Sequence, residues 1–138
     1  MSFVIDNSVA LAWCFEDEQT AGIMALLDRV ADAGAIAPQL WPIEALNGLL
    51  TAERRGRIDS TVRLRLAGFL RQLPIDIDED TASQSWTTTA RLAEQHRLTA
   101  YDATYLELAV RRGLPLASRD VALIAAARAV GVDLLPTD

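Results

Sequence analysis

Lysine is absent from this chain: all thirteen basic residues are arginine. A phosphate-binding loop of the Walker type needs a lysine behind its glycines, and no G-x-x-x-x-G-K-S/T run occurs. Receiver domains and haloacid-dehalogenase phosphatases also carry an aspartate after their first strand, but both depend on a lysine that is missing here. Cysteine and histidine occur once each. Cys14, alone in an apolar helical context, excludes a disulfide framework, and a buried structural thiol in a reduced compartment is its expected role. His96 stands among Glu94, Gln95 and Arg97 near a helix end, which argues against a Ser-His-Asp triad or a zinc cluster and predicts an exposed ring. No apolar run approaches the roughly 20 residues that span a bilayer, and no basic region precedes the short N-terminal hydrophobic run. The expectation is a soluble, cytoplasmic protein with no membrane partner. Nineteen acids against thirteen arginines leave a net charge of -6, which disfavours a nonspecific nucleic-acid binder held by a basic surface. The charge does not disfavour a nuclease, because cations bound by clustered carboxylates invert the local field and a few arginines suffice to anchor phosphates.

What is present is ordinary globular material: 138 residues, 51% hydrophobic and 23% charged, enough for one domain over residues 1–138. Strand and helix signals alternate along it. Strands are predicted near 3–6, 35–37, 75–77, 114–117 and 132–135, on short apolar or alternating runs. Helices are predicted near 8–15, 17–32, 40–55, 60–73, 79–95 and 101–112, with another following Asp120. Gly34, Gly56 and Gly113 stop helices, Pro38 breaks the second strand, and Asp59 or Ser60 and Thr99 supply caps. Strands separated by helices predict an α/β fold whose central, mostly parallel sheet is covered on both faces, a three-layer α/β/α sandwich.

Four acids stand out against this frame. Asp6 closes Phe3-Val4-Ile5, and Asp120 follows Leu116-Ala117-Ser118-Arg119, so both carboxylates sit just past the carboxyl ends of strands, where ligands gather in open α/β sheets. Glu44 and Asp102 lie in helices, bordering apolar faces built from Leu40, Leu46, Ala103 and Leu106. Acids beside apolar stripes need a partner, and one shared hard cation would serve all four. Each acid also has a plain structural reading. Asp6 and Asp120 can cap the helices that follow them, and Glu44 and Asp102 can be first-turn acids favoured by the helix dipole.

Four segments carry a family resemblance: Val4-Ile5-Asp6-Asn7-Ser8, Pro42-Ile43-Glu44-Ala45-Leu46-Asn47, Leu98-Thr99-Ala100-Tyr101-Asp102-Ala103-Thr104-Tyr105 and Leu116-Ala117-Ser118-Arg119-Asp120. In order and spacing they resemble the motifs of PIN domains, in particular the VapC-type toxins, over essentially the whole chain. The resemblance implies a PIN-like fold and a metal-dependent endoribonuclease, the toxin of a type II toxin–antitoxin pair. It implies that Asp6, Glu44, Asp102 and Asp120 hold one or two Mg²⁺ or Mn²⁺ ions, the fourth position being the variable one in this family. It also places Ser8 and Asn47 among polar groups lining the site, and it implies a cognate antitoxin, an RNA substrate and a homodimer. Ser118, two residues before Asp120, joins them either as a site residue or as part of a helix cap.

The chemistry can be argued without the family. Phosphodiester hydrolysis needs a nucleophile at neutral pH and relief of charge on phosphorus, both of which a divalent cation supplies. A noncatalytic PIN-like binding module and a metal-dependent DNA nuclease on the same fold are the alternatives, since metal chemistry does not distinguish ribose from deoxyribose.

Other features read more plainly. Glu16-Asp17-Glu18 reads as a solvated helix start. Asp76, Asp78 and Asp80 resemble a calcium loop, but Thr81 and Thr87 replace its required glycine and glutamate, which excludes it. Trp13, Trp41 and Trp86 read as core or interface, with base stacking as the alternative for any that is exposed near the cleft. Arg54, Arg55 and Arg57, and then Arg111, Arg112 and Arg119, suit helix C-termini or phosphate positioning, with Arg119 the foremost phosphate candidate because it adjoins Asp120.

Overall fold

Phe3, Ile5, Ala35 and Ala37 belong to one apolar core, whereas Val4, Ile36 and Leu116 belong to another. That alternation along adjacent strands is what a sheet covered on both faces requires. The computed structural model describes residues 2–138. Four parallel strands, β1 (Val4–Ile5), β2 (Ala35–Pro38), β3 (Ile75–Asp78) and β4 (Leu116–Ala117), lie in the order β3-β2-β1-β4. One core unites them with helices α1 (Asn7–Cys14), α2 (Ala21–Ala33), α3 (Trp41–Arg54) and α4 (Ser60–Gln72). The other unites β1, β2 and β4 with α6 (Ala90–His96), α7 (Ala100–Arg112) and α8 (Val121–Ala129), while α5 (Thr81–Gln84) follows β3 at the sheet's edge. This is the three-layer α/β/α sandwich with a central parallel sheet.

Local chemistry sets the boundaries. The side chains of Asp6, Thr20, Asp59, Thr99 and Asp120 accept backbone N–H groups at the starts of α1, α2, α4, α7 and α8, satisfying donors a helix leaves free. Gly113 ends α7 in the left-handed region at φ 64°, where its N–H returns to the carbonyls of Ala109 and Val110.

The structure departs from the sequence expectations in several places. The helix expected over 17–32 is a short 3₁₀ turn (Glu16–Glu18) followed by α2, because Gln19 and Thr20 are extended and Thr20 starts a new helix. The helix expected over 79–95 is α5, a π turn (Ser85–Thr89) and α6. Three consecutive β-branched threonines crowd that turn, and Ser85 Oγ donates back to the Thr81 carbonyl, so the regular ladder is interrupted there. Pro38 does not break β2 but forms its last residue, paired with Asp78. The fifth strand expected over 132–135 is reduced to one parallel bridge between Leu134 and Leu116.

The strand order places β1 in the interior. The chain steps from β1 to β2 to β3 on one side and then crosses to β4 on the other. The crevice outside the carboxyl ends of β1 and β4 is therefore the topological switch point, where open α/β sheets bind ligands.

Candidate active site

Asp6 and Ser118 follow β1 and β4 directly and face one another across that switch point, in continuation of the register Val4 to Leu116 and Ile5 to Ala117. Asp6 is 4% exposed. Its Oδ2 accepts from Ser8 Oγ at 2.5 Å, Ser118 Oγ at 3.0 Å and the Ser8 amide at 3.4 Å. The two serines continue the network: Ser8 Oγ accepts the Arg119 amide at 2.9 Å, and Ser118 Oγ accepts the Asp120 amide at 3.0 Å. The two strand ends and the helices they launch are thus stitched together around one carboxylate.

Glu44, in the first turn of α3, is half-buried, and its Oε1 accepts from the Tyr105 hydroxyl at 2.6 Å. Asp102, in the first turn of α7, donates its backbone N–H to the Thr99 cap at 3.1 Å. Asp120 Oδ1 accepts the Leu123 amide at 2.8 Å, so this residue does cap α8. Its other oxygen is left for further chemistry.

Burial and neighbouring charge act on three of these four acids. Burial, opposed by hydrogen bonds from Ser8 and Ser118, raises the Asp6 carboxyl above the usual range, and the charge of Asp120 adds to the rise. Glu44 is raised by burial, with the charges of Asp6 and Asp102 adding and the Tyr105 hydroxyl opposing. Asp102 is pushed up to about 6 by burial, then by Asp120 and Asp6. Asp6 thus feels Asp120, Glu44 feels Asp6 and Asp102, and Asp102 feels Asp120 and Asp6. Among the described residues no three His, Cys, Asp or Glu side chains form a ready-made coordination cluster. That is consistent with mutual repulsion between carboxylates and with Mg²⁺, which binds through one or two carboxylates and keeps several waters. The hard-oxygen donor set and its unrelieved like charge fit such an ion.

The remaining sequence candidates divide. Ser8 and Ser118 are in the site, bonded to Asp6. Asn47 lies one turn after Glu44 on α3, exposed. The Arg119 guanidinium turns to Glu18, with Nη1 3.0 Å from Oε1. Glu18 also meets Arg57, which stacks on the Phe15 ring at 4.1 Å. Of the three acids read as a solvated helix start, Asp17 and Glu18 are therefore ion-pair partners. Arg111 and Arg112 are not free for phosphate either: both donate to Asp78, which is 1% exposed, and Arg111 also grips the buried Glu107.

One residue was read differently from sequence. His96 is half-buried, its Nε2 shut from solvent with no hydrogen-bond partner among the described residues. Of the two readings of Trp86, core or interface, the first falls: it is 91% exposed, carried outward on the π turn. Tyr105 is the site residue that sequence reasoning missed. Its signal was present as a polar-tipped aromatic one turn after Asp102 on the same helix.

With this geometry in place, comparison with known proteins decides the family. The PIN domain family model matches residues 3–130. The chain belongs to the PIN domain family. PIN domains are generally nucleases and typically depend on divalent metal. Among solved structures, this PIN domain is similar to PAE2754 from Pyrobaculum aerophilum, with a TM-score of 0.72 at 24% identity over 98% of this chain and 90% of that one. It is also similar to FitAcB from Neisseria gonorrhoeae, with a TM-score of 0.67 at 18% identity over 99% and 98% of the two chains. VapBC2 from Rickettsia felis, solved bound to a DNA fragment from its promoter, gives 0.66 at 14% identity over 97% of each. At these identities the likeness is one of fold. Comparison of the sequence with curated proteins gives no match.

Proposed function

We propose that this PIN domain is a divalent-metal-dependent endoribonuclease that acts in the cytoplasm as the toxin of a toxin–antitoxin pair. The observation that carries the reading is the electrostatic coupling of Asp6, Glu44, Asp102 and Asp120 at the switch point of the sheet. These four would hold one or two Mg²⁺ or Mn²⁺ ions, which when bound acidify water and neutralise charge on the phosphoryl oxygens. Ser8 and Ser118 hold Asp6 in one orientation from both sides. Arg119, one residue from Asp120, is placed to exchange its Glu18 pairing for a substrate phosphate. The intact set of four acids speaks against a noncatalytic module.

The partners follow from surface and family. A groove of about 330 Å³ between α3, α4 and β3 is lined by Trp41, Leu46, Leu49, Leu70 and Ile77, and the buried Trp41 Nε1 there lacks an acceptor. An antitoxin laying an apolar helix or strand into that groove would cover it. FitAB and VapBC2 among the structures of this fold support an antitoxin partner. Exposed Ile43, Trp86 and Val121 provide apolar surface for a homodimer. No helix among the described residues is long and apolar enough to cross a membrane.

The test is incubation of purified, antitoxin-free protein with structured RNAs and with single- and double-stranded DNA, in Mg²⁺, Mn²⁺ or EDTA. Cleavage of RNA that requires metal supports the reading. Cleavage of DNA alone would replace it with a DNA nuclease, and no cleavage of either would leave a binding module.

Two substitutions sharpen the residue roles. Asp120→Ser retains a good N-cap acceptor and removes the carboxylate, so urea unfolding should change by less than about 1 kcal/mol while metal-dependent cleavage falls. Full activity in that variant would leave Asp120 as a cap alone. Arg119→Ala should weaken RNA binding and lower the slope of log affinity against log salt by about 1; an unchanged slope would place Arg119 outside the substrate path.

A further inference from the structure

The Tyr105 side chain is 0% exposed and is the largest among those fully buried. Its ring is fixed by the core beneath α7, and only its hydroxyl meets polar groups. That hydroxyl donates to Glu44 Oε1 at 2.6 Å. A phenol carries one hydrogen. That hydrogen goes to Glu44, and the contact has the length of a bond to an ionised acceptor. One buried hydroxyl thus ties α7 to α3, the helices that carry Asp102 and Glu44.

We propose that Tyr105 is a positioning residue for Glu44, holding that carboxylate in a single orientation as a donor for the divalent cation. The inference rests on the metal-nuclease reading given above. A half-buried glutamate has free side-chain torsions that a cation must otherwise freeze on binding. Bonding one oxygen to a partner locked in the core removes that cost beforehand and leaves the other oxygen for the metal. Tyr105 touches neither substrate nor cation; it acts through Glu44.

The decisive experiment is a double-mutant cycle on Mn²⁺ affinity, measured by calorimetry on the full chain, with Tyr105→Phe, Glu44→Gln and the pair. Tyr105→Phe should bind Mn²⁺ about tenfold or more weakly, with kcat reduced and KM for RNA unmoved. In the Glu44→Gln background the same change should have almost no further effect. Wild-type affinity in Tyr105→Phe, or losses that simply multiply in the double variant, would overturn the inference and leave Tyr105 as core packing. Should Tyr105→Phe fail to fold, protein labelled with 3-fluorotyrosine supplies the second readout. Tyr101 and Tyr105 are its two tyrosines, and Tyr101→Phe assigns the signals. Mg²⁺ should shift the Tyr105 fluorine resonance in the wild type and not in Glu44→Gln; equal behaviour in both would overturn it. The outcomes separate the two claims. Wild type that binds no Mn²⁺ contradicts both. Wild type that binds Mn²⁺ without cleaving RNA, while Tyr105→Phe binds weakly, contradicts the nuclease reading alone.

Discussion

Asp6→Asn should abolish metal-dependent RNA cleavage and leave the protein folded. Asp6 is buried between two serine hydroxyls at the switch point, with the field of Asp120 upon it. An asparagine keeps an oxygen that accepts from Ser8 and Ser118 but brings no charge to a cation. The several kcal/mol of transition-state stabilisation that a metal supplies, at tenfold per about 1.4 kcal/mol, make the expected loss about 10³-fold or greater. Metal-free stability should not fall, because the substitution also removes a buried charge that nothing neutralises. The pH dependence has a definite sign. Asp6, Glu44 and Asp102 have folded pKa values raised above their unfolded ones, Asp102 to about 6. Between the unfolded and folded pKa the folded state binds more protons, so metal-free wild type should gain stability as pH falls from 7 toward 5. Asp102→Asn should flatten that slope in a urea series. Wild-type turnover by folded Asp6→Asn would contradict the account of the site.

Arg111→Ala should produce the largest loss of stability of any single arginine substitution. Arg111 donates two hydrogen bonds to Asp78, at 2.7 and 3.0 Å, and two to Glu107, at 2.7 and 3.1 Å. Both carboxylates are 1% exposed. Removing the guanidinium leaves Glu107 without its partner and Asp78 with Arg112 alone. Breaking a buried pair by deleting one member costs 3–5 kcal/mol, and the surviving Arg112 contact sets the expectation at about 3 kcal/mol, or roughly 10 °C in melting temperature. Replacing Asp78, Glu107 and Arg111 together by leucine, leucine and methionine should recover most of it, since an apolar cluster strands no charge. The Arg111 hydrogen bonds hold Asp78 below the usual carboxylate range. The stability Asp78 contributes is therefore present above its unfolded pKa and is lost as pH falls through the lower folded value, a window below about pH 4. A loss under about 1 kcal/mol in Arg111→Ala would mean water replaces the guanidinium there, as it does at surface pairs.

The contrast between these two clusters explains what could be read from sequence. Asp6, Glu44, Asp102 and Asp120 were legible because each stands at a boundary with a local signature, a strand end or a helix first turn. The parallel sheet was legible for the same reason, since apolar strands alternated with capped helices. Asp78 sits at a strand end too, yet its partners Arg111 and Arg112 are 33 and 34 residues away, and nothing local distinguishes a buried ion pair from a solvated one. The Tyr105 to Glu44 bond spans 61 residues and was hidden likewise. The π turn was missed because its extra residue leaves the helical composition unchanged. Family resemblance added the toxin reading, which composition and spacing do not contain.

Mn²⁺ titration of antitoxin-free wild type beside Asp6→Asn, Glu44→Gln, Asp102→Asn and Asp120→Ser tests the claim that four distant acids form one metal site. The account predicts saturable binding of one or two ions by wild type, weakened by about tenfold or more in the Asp6, Glu44 and Asp102 variants, with the folded state intact throughout. Binding that is absent from wild type, or unchanged in those three variants, would contradict it.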